Sequence, residues 1–338
     1  MPANLTPQYL AAEQRFKEAV TTQEKIEALE EMLAVMPKHK GTDKLHADLR
    51  RRLAKLRTEA TKKHGISKAS AAYTVQREGA GQIVLVGAPN VGKSSLLARL
   101  THATPEIADY PFTTRLPQPG MMPYENILIQ LVDMPPIDEQ FYEPWMGGIV
   151  RHADLALLIV DLSSDELLEE VEDVLQVLDH SKIRLEGNVP ATAQPEAAQE
   201  LPHRALILGN KFDAPNAHTN LPILREFYER RFEILAVSAA TGEGLSTLGP
   251  LFFEKLDVIR IFTKVPGKKV DFSSAPFVLK RGSTVMDAAR AVHRDFVHSL
   301  KFARAWSSEK SSRPVKFDGQ MVERTHQLED GDILELHV

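Results

Sequence analysis

The sequence predicts an α/β protein, a mostly parallel sheet with helices on both faces, preceded by a helical hairpin and followed by a small α+β module. Three observations carry this. Apolar residues recur at helical spacing near the start; short apolar, β-branched runs then alternate with amphipathic stretches; a strand, turn, strand, helix order with turn dipeptides closes the chain. With 338 residues the chain has room for two or three domains. Its 43% hydrophobic and 26% charged residues are the ordinary composition of a chain that buries a core.

From Thr6 to about Lys63 the apolar spacing, Ile26, Leu29, Leu33 and then Leu45, Leu49, Leu53, Leu56, predicts a helical hairpin within residues 1–75, with Pro37 and Gly41 marking the break. Its second half is basic. Lys38, Lys40, Lys44, Arg50, Arg51, Arg52, Lys55, Arg57, Lys62 and Lys63 face only Asp43, Asp48 and Glu59. Such a run is either a solvated helix face or a contact to an RNA phosphate backbone, whose counterions it would release.

Ile83 to Val86, Ile127 to Val132, Leu155 to Val160, Ala205 to Leu208 and Ile234 to Val237 read as buried strands. Glu166 to His180, Pro222 to Phe232 and Leu245 to Ile259 read as the helices between them. Together they mark a domain over 80–260, with a Pro-, Ala- and Gln-rich insert loop at 186–202. Residues 261–338 form the third segment: strand, turn, strand, a helix from Thr284 to Leu300, then short strands joined at Asp318-Gly319 and Asp330-Gly331.

Composition excludes several classes. Forty-six acids against 41 Lys and Arg give a net charge of −5, so this is no basic nucleic-acid coat, and DNA is not an expected partner. There are no cysteines, which removes disulfides, thiolate metal sites and Cys nucleophiles. The longest purely apolar run, Leu155 to Val160, is far short of the roughly 20 residues of a membrane span. The first thirty residues are polar, with no apolar leader, so a cytoplasmic protein without membrane attachment is expected.

Gly87-Ala88-Pro89-Asn90-Val91-Gly92-Lys93-Ser94 matches GxxxxGK[ST] between a predicted strand and a helix through Ser95 to Leu100. Glycines there let backbone N–H groups crowd around a β-phosphate at the helix N-terminus. Lys93 places a charge on the β/γ oxygens, and the Ser94 hydroxyl can ligate Mg²⁺. Asn210-Lys211-Phe212-Asp213 follows a strand and reads as the guanine motif NKxD. The Asp213 carboxylate would accept from guanine N1–H and the N2 amine, a donor pair adenine lacks. Lys211 would lay its stem over the base and Asn210 would brace the phosphate loop. Ser238-Ala239-Ala240, one strand later, reads as the third base-contacting loop. GTP and GDP are the expected ligands, and Asn210 and Asp213 argue against an ATPase.

The run IADYPFTTRLPQPG, Ile107 to Gly120, following GAPNVGKS, resembles the Obg/DRG class of translation-factor-related GTPases, whose first switch carries YPFTT. The resemblance implies a P-loop GTPase fold and assigns Thr114 to Mg²⁺ and the γ-phosphate, with Thr113 as the alternative. The stretch PKHKGTDKLHADLRRRLAKLR resembles the helical hairpin of DRG-type proteins. VLKRGSTVMDAARAVHRDF and LEDGDILELHV resemble a TGS domain, a ubiquitin-like β-grasp fold associated with RNA and ribosome binding. The resemblance therefore implies ribosome or structured-RNA partners, through residues 38–63 and 261–338.

The pattern departs from the family at switch II. DxPG is replaced by Asp133-Met134-Pro135-Pro136. Asp133 can still hold Mg²⁺ through water, but Pro136 has no N–H to offer a γ-phosphate and a fixed φ. Either a neighbouring amide such as that of Ile137 replaces it, or the GTP and GDP states differ little. Ile137 stands where Ras-like proteins carry the water-orienting Gln. Asn90 stands where related GTPases hold a potassium ion, which predicts potassium-stimulated hydrolysis; the alternative is a loop residue that tolerates left-handed backbone. Two readings thus stand, a GTPase using Lys93, Thr114, Asp133 and Asn90, and a nucleotide-dependent scaffold with vestigial hydrolysis.

The glycine- and arginine-rich switch II stretch and the large inserted domain of DRG proteins are absent. Phe141 and Trp145 read as aromatics anchoring the switch helix, with a partner-facing patch as the alternative. The 12 histidines are scattered without metal-ligand spacing. Asp161 with Ser163 and Ser164 reads as a helix cap, Ser164 at the N-cap. Phe302 and Trp306 lie among cations of the last segment, either stacking on bases or closing a small core.

Overall fold

The computed structural model describes residues 7–18, 22–36, 49–53, 73, 75–101, 116–138, 142–187, 202–272, 274–308 and 314–337. The chain divides into two units, Met1–Thr74 and Val75–Val338.

In the first unit α1 (Pro7–Glu18) packs on α2 (Thr22–Val35), and residues 49–53 are helical. Tyr9, Ala12, Leu29, Met32, Met36, Leu49 and Leu53 form its small core. Arg15 and Glu31 pair across the two helices at 2.8 Å. The first arm of the expected hairpin is thus two helices. Of the basic run, Arg50, Arg51 and Arg52 are exposed on the opposite side of their turn from Leu49 and Leu53; residues 38–48 and 54–63 lie outside the described residues.

The second unit begins with a sheet of seven strands among the described residues: β1 (Gln82–Val86), β2 (Gln118–Tyr124), β3 (Ile127–Asp133), β4 (Leu155–Asp161), β5 (Leu185–Glu186), β6 (His203–Asn210) and β7 (Ile234–Ala236). The order is β2-β3-β1-β4-β6, with β5 and β7 both pairing β6, and every pairing is parallel except β2 with β3. Every residue of β1 and Leu155–Val160 of β4 are buried, which explains why these strands read as continuous apolar runs. Fully burying each of their Ile, Leu and Val side chains contributes roughly 1.5–3 kcal/mol, so the sheet centre anchors the domain. β2 was not legible as a strand. It carries Pro119 and Pro123, both exposed, which is tolerated because β2 lies at the sheet edge.

Helices α3 (Lys93–Thr101), α4 (Pro144–His152), α5 (Leu167–His180), α6 (Ala217–Tyr228) and α7 (Leu248–Leu256) accompany the sheet. Two depart from expectation. α6 starts five residues before Pro222, which sits inside it. The Thr219 and Asn220 N–H groups bond the Asn216 carbonyl, and the Asn220 side chain ties this first turn to the carbonyls of Leu162 and Ser164. α7 stops before Ile259 because Asp257 adopts a left-handed φ of 52°, after which β8 begins.

β8 (Val258–Thr263), β9 (Phe277–Lys280), β10 (Phe302–Trp306), β11 (Gln320–Val322) and β12 (Ile333–His337) form a second, mixed sheet in the order β11-β10-β12-β8-β9. Gly319 and Gly331, at φ 76° and 87°, make the two expected turns. The helix expected from Thr284 to Leu300 is broken. α8 (Val285–Val292) ends where His293 turns extended, and a separate short turn spans Phe296–Ser299. Ile259, Ile261, Ala303, Ala305 and Leu334 point to the α8 side and form the core. Strand alternation therefore puts Phe302 and Trp306 on the other face, so neither closes the core: Phe302 stacks on His337 with centroids 4.2 Å apart, and Lys264 Nζ lies 4.0 Å from the Trp306 ring centroid.

Within this unit Arg260 joins the two sheets. Its guanidinium bonds Glu125 and Asn126, the two residues of the β2–β3 turn, and forms a bidentate pair with Asp330 at 2.9 and 2.6 Å. It also lies over the Phe253 ring of α7, 4.7 Å from the centroid.

Candidate nucleotide-binding site

The loop from Gly87 to Gly92 leaves β1 and enters α3 where the parallel strands end, the position at which α/β sheets hold ligands. Two of its glycines are required by geometry. Gly87 has φ 154° and any Cβ there would sit 2.4 Å from the Ile159 carbonyl oxygen; Gly92 has φ 91° and its Cβ would sit 2.4 Å from Asn210 Nδ2. A cleft of about 430 Å³ opens beside the loop, lined by Pro89, Asn90, Gly92, Lys93, Ser94, Ser95, Leu116, Gln118, Asp133, Met134, Pro135 and Pro136.

Lys93 is buried, and its Nζ donates to the carbonyls of Gly87 at 2.9 Å and Ala88 at 2.8 Å. Burial lowers its pKa to about 8, against the opposing pull of Asp133. Ser94 Oγ donates to Asp133 Oδ2 at 2.5 Å, while Oδ1 of the same carboxylate is buried with no hydrogen-bond partner. Burial pushes the Asp133 carboxyl up, and Ser94 and Lys93 only partly offset it. A hydroxyl and a carboxylate facing each other, with one orphaned buried oxygen, form a donor set that fits a hard divalent cation. Thr113 and Thr114 lie outside the described residues.

The guanine-motif residues are knitted to both neighbouring loops. Asn210 is buried; its Nδ2 donates to the Val91 carbonyl at 2.9 Å and its Oδ1 accepts from the Ala239 N–H at 3.0 Å. One side chain therefore ties the phosphate loop to the Ser238-Ala239-Ala240 turn. Ser238 Oγ donates to Asp213 Oδ1 at 2.5 Å and accepts from the Thr241 N–H at 3.0 Å. Asp213 is exposed, with one carboxylate oxygen held by Ser238.

Sequence reasoning missed one member. Asp161 does not cap the helix after β4: α5 starts at Leu167 with Glu166 at the N-cap position, and Ser164 Oγ instead accepts from the Glu166 N–H and donates to Glu170. The Asp161 carboxylate pairs with Lys211 Nζ at 2.5 Å. The signal was available only through the β4–β6 register, which sets Asp161 opposite Asn210.

Switch II is held to the phosphate loop. The Met134 N–H donates to the Leu85 carbonyl at 3.2 Å and the Ile137 N–H to the Gly87 carbonyl at 3.1 Å. Both side chains are 1% exposed. The Ile137 amide, one of the two alternatives for the missing γ-phosphate donor, is thus already bonded. Asn90 has φ 63° and an exposed side chain, so it does adopt left-handed backbone. Trp145 is half-buried and its Nε1 donates to Glu143 at 2.8 Å at the start of α4; Phe141 lies outside the described residues.

Comparison with known proteins agrees with this geometry. A family described as "50S ribosome-binding GTPase" matches residues 82–186, and the TGS domain matches residues 259–338. The chain is 31% identical to an uncharacterized GTP-binding protein of Methanocaldococcus jannaschii, over 92% of both chains. It is 26% identical to GTP-binding protein 1 of Schizosaccharomyces pombe, over 92% of this chain and 98% of that one. It is also 26% identical to human developmentally-regulated GTP-binding protein 2, over 93% and 98%. The fold resembles that of the Schizosaccharomyces pombe YchF GTPase, with a TM-score of 0.51 and 14% identity over 78% of this chain and 99% of that one. Among the described residues no helix is long and apolar enough to cross a membrane. With a phosphate loop, an NKxD motif whose Asn210 ties two loops together and a TGS domain in one chain, and a relative at 31% identity along nearly its whole length, the protein belongs to the family of GTP-binding proteins that join a GTPase domain to a TGS domain, with developmentally-regulated GTP-binding proteins among its relatives.

Proposed function

We propose that this chain hydrolyses GTP to GDP and phosphate with Mg²⁺, and that its nucleotide state governs contact with ribosomes or structured RNA in the cytoplasm. The observation that carries the reading is Asn210, which holds the phosphate loop and the base loops at a fixed separation, the arrangement a guanine nucleotide spans. In this reading the Gly87–Ser95 loop cradles the phosphates and Lys93 neutralises the β/γ oxygens. Ser94, Asp133 and Thr114 hold Mg²⁺, which supplies charge stabilisation on the transferring phosphoryl group. Asp213 reads the base edge, Lys211 covers its face, and Ser238 keeps Asp213 in place. Residues 38–63 and the TGS domain provide the basic contacts to RNA; the family description and the exposed Arg50 and Arg51 support this.

Asn90 faces the cleft from the phosphate loop and is proposed to hold a potassium ion during hydrolysis. Single-turnover phosphate release in KCl and NaCl at equal ionic strength tests this. Faster release in KCl, lost in Asn90→Ala, is expected; equal rates in both salts would remove the potassium role. Co-sedimentation of the intact chain with ribosomes, in the GTP and GDP states, tests the partner. No pelleting in either state would overturn it.

A second reading is favoured by the Ile137–Gly87 bond and Pro136: a nucleotide-dependent scaffold in which hydrolysis is vestigial. Tight GTP binding with no phosphate release in either salt is its signature.

A further inference from the structure

We propose that Asp161 is a positioning residue for nucleotide binding: by fixing the Lys211 ammonium it pre-arranges the lysine stem as the surface on which the base rests. This deepens the guanine-site reading and rests on it.

The strand register makes the pair. β4 and β6 run parallel with Asp161 opposite Asn210, so Lys211 leaves β6 one residue beyond the end of β4. Lys211 adopts a left-handed φ of 60°, and its Nζ reaches Asp161 Oδ2 at 2.5 Å. The carboxylate cannot follow the lysine, because its other oxygen accepts from the Ser163 N–H at 2.8 Å and the Ser163 hydroxyl at 2.6 Å. Asp161 is the fixed partner, with a side chain 14% exposed; Lys211 is the adaptable one, at 39%.

A free lysine stem samples many rotamers, and ligand binding would otherwise have to remove that entropy. Anchoring its ammonium removes part of that cost in advance and keeps the four methylenes beside the turn that carries Asp213. The ion pair itself contributes little to fold stability, since Lys211 remains partly solvated. Its consequence lies in binding, and only for ligands that carry a base.

The test is Asp161→Asn, which preserves shape and an oxygen for the Ser163 N–H but removes the charge. Titration calorimetry with Mg²⁺ would measure GTP, GDP, ATP and inorganic tripolyphosphate, which has phosphates and no base. GTP and GDP are each expected to weaken about tenfold, the scale of one charge-assisted hydrogen bond. Tripolyphosphate should be unchanged, and Asp161→Glu should recover most of the loss. Lys211→Met should show the same loss, with Asp161→Asn adding nothing on top of it. Unchanged GTP affinity, equal weakening of tripolyphosphate, or full additivity with Lys211→Met would each overturn the proposal. A wild-type chain that fails to prefer GTP over ATP would instead overturn the guanine reading, and the proposal with it.

Discussion

The Ile137 N–H donates to the carbonyl of Gly87, so the segment after Asp133 runs on beside β1 as a bonded extension of the phosphate loop. With Pro136 lacking an N–H, neither residue has an amide free for a γ-phosphate in this arrangement. Pro136→Gly restores a donor at the cleft wall. Its GTP affinity relative to GDP is expected to rise about tenfold, the scale of one hydrogen bond to a charged group. Paired titrations of both nucleotides check this; an unchanged ratio means that switch II does not sense the terminal phosphate.

Asn210→Ala leaves the Val91 carbonyl and the Ala239 N–H without their partner. The Val91 carbonyl is buried and costs about 1–3 kcal/mol when left unsatisfied, whereas the Ala239 N–H is only partly buried. Denaturant unfolding should show a loss in that range, and nucleotide affinity should fall on the order of a hundredfold, because the phosphate and base loops lose their shared brace.

Asp213→Asn keeps the side-chain shape while removing the carboxylate that Ser238 steadies. Guanine preference over adenine is expected to fall on the order of a hundredfold or more, measured as the ratio of GTP to ATP dissociation constants. Untouched GTP affinity would show that the base sits elsewhere.

His203, at the start of β6, has Nε2 buried without a partner, and burial lowers its pKa to about 4, only partly countered by Asp154. Its ordinary value is 6.5. Between these two values the unfolded chain binds a proton that the folded chain refuses, so stability contributed by the neutral ring is lost as pH falls from 6.5 to 4. The slope approaches about 1.4 kcal/mol per pH unit. His203→Leu should flatten the melting temperature across that window relative to wild type.

The central strands, the phosphate loop and the guanine motif were legible because each is encoded by adjacent residues: apolar runs, positive-φ glycines, a four-residue motif at a strand end. The misread parts depend on contacts distant in sequence. β2 is held by pairing with β3, which outweighs two prolines; α6 begins early because Asn220 finds the carbonyls of Leu162 and Ser164; Asp161 meets Lys211 only through strand register. The face carrying Phe302 and Trp306 was undecidable without knowing that Ala303 and Ala305 take the core side.

The two prolines of β2 bear on how the molecule keeps to itself. An edge strand is a ready template for a strand from another copy, since its outward donors and acceptors are in register for pairing. β2 is paired with β3 from Gln118 to Tyr124, and its other side is the rim of the sheet. Pro119 and Pro123, both exposed, bring no donor to the rim and fix φ at two points four residues apart. An incoming strand would find a broken ladder there. Two imino acids thereby blunt this edge of the seven-stranded sheet against edge-to-edge polymerisation, in the strand that leads from the cleft to Arg260.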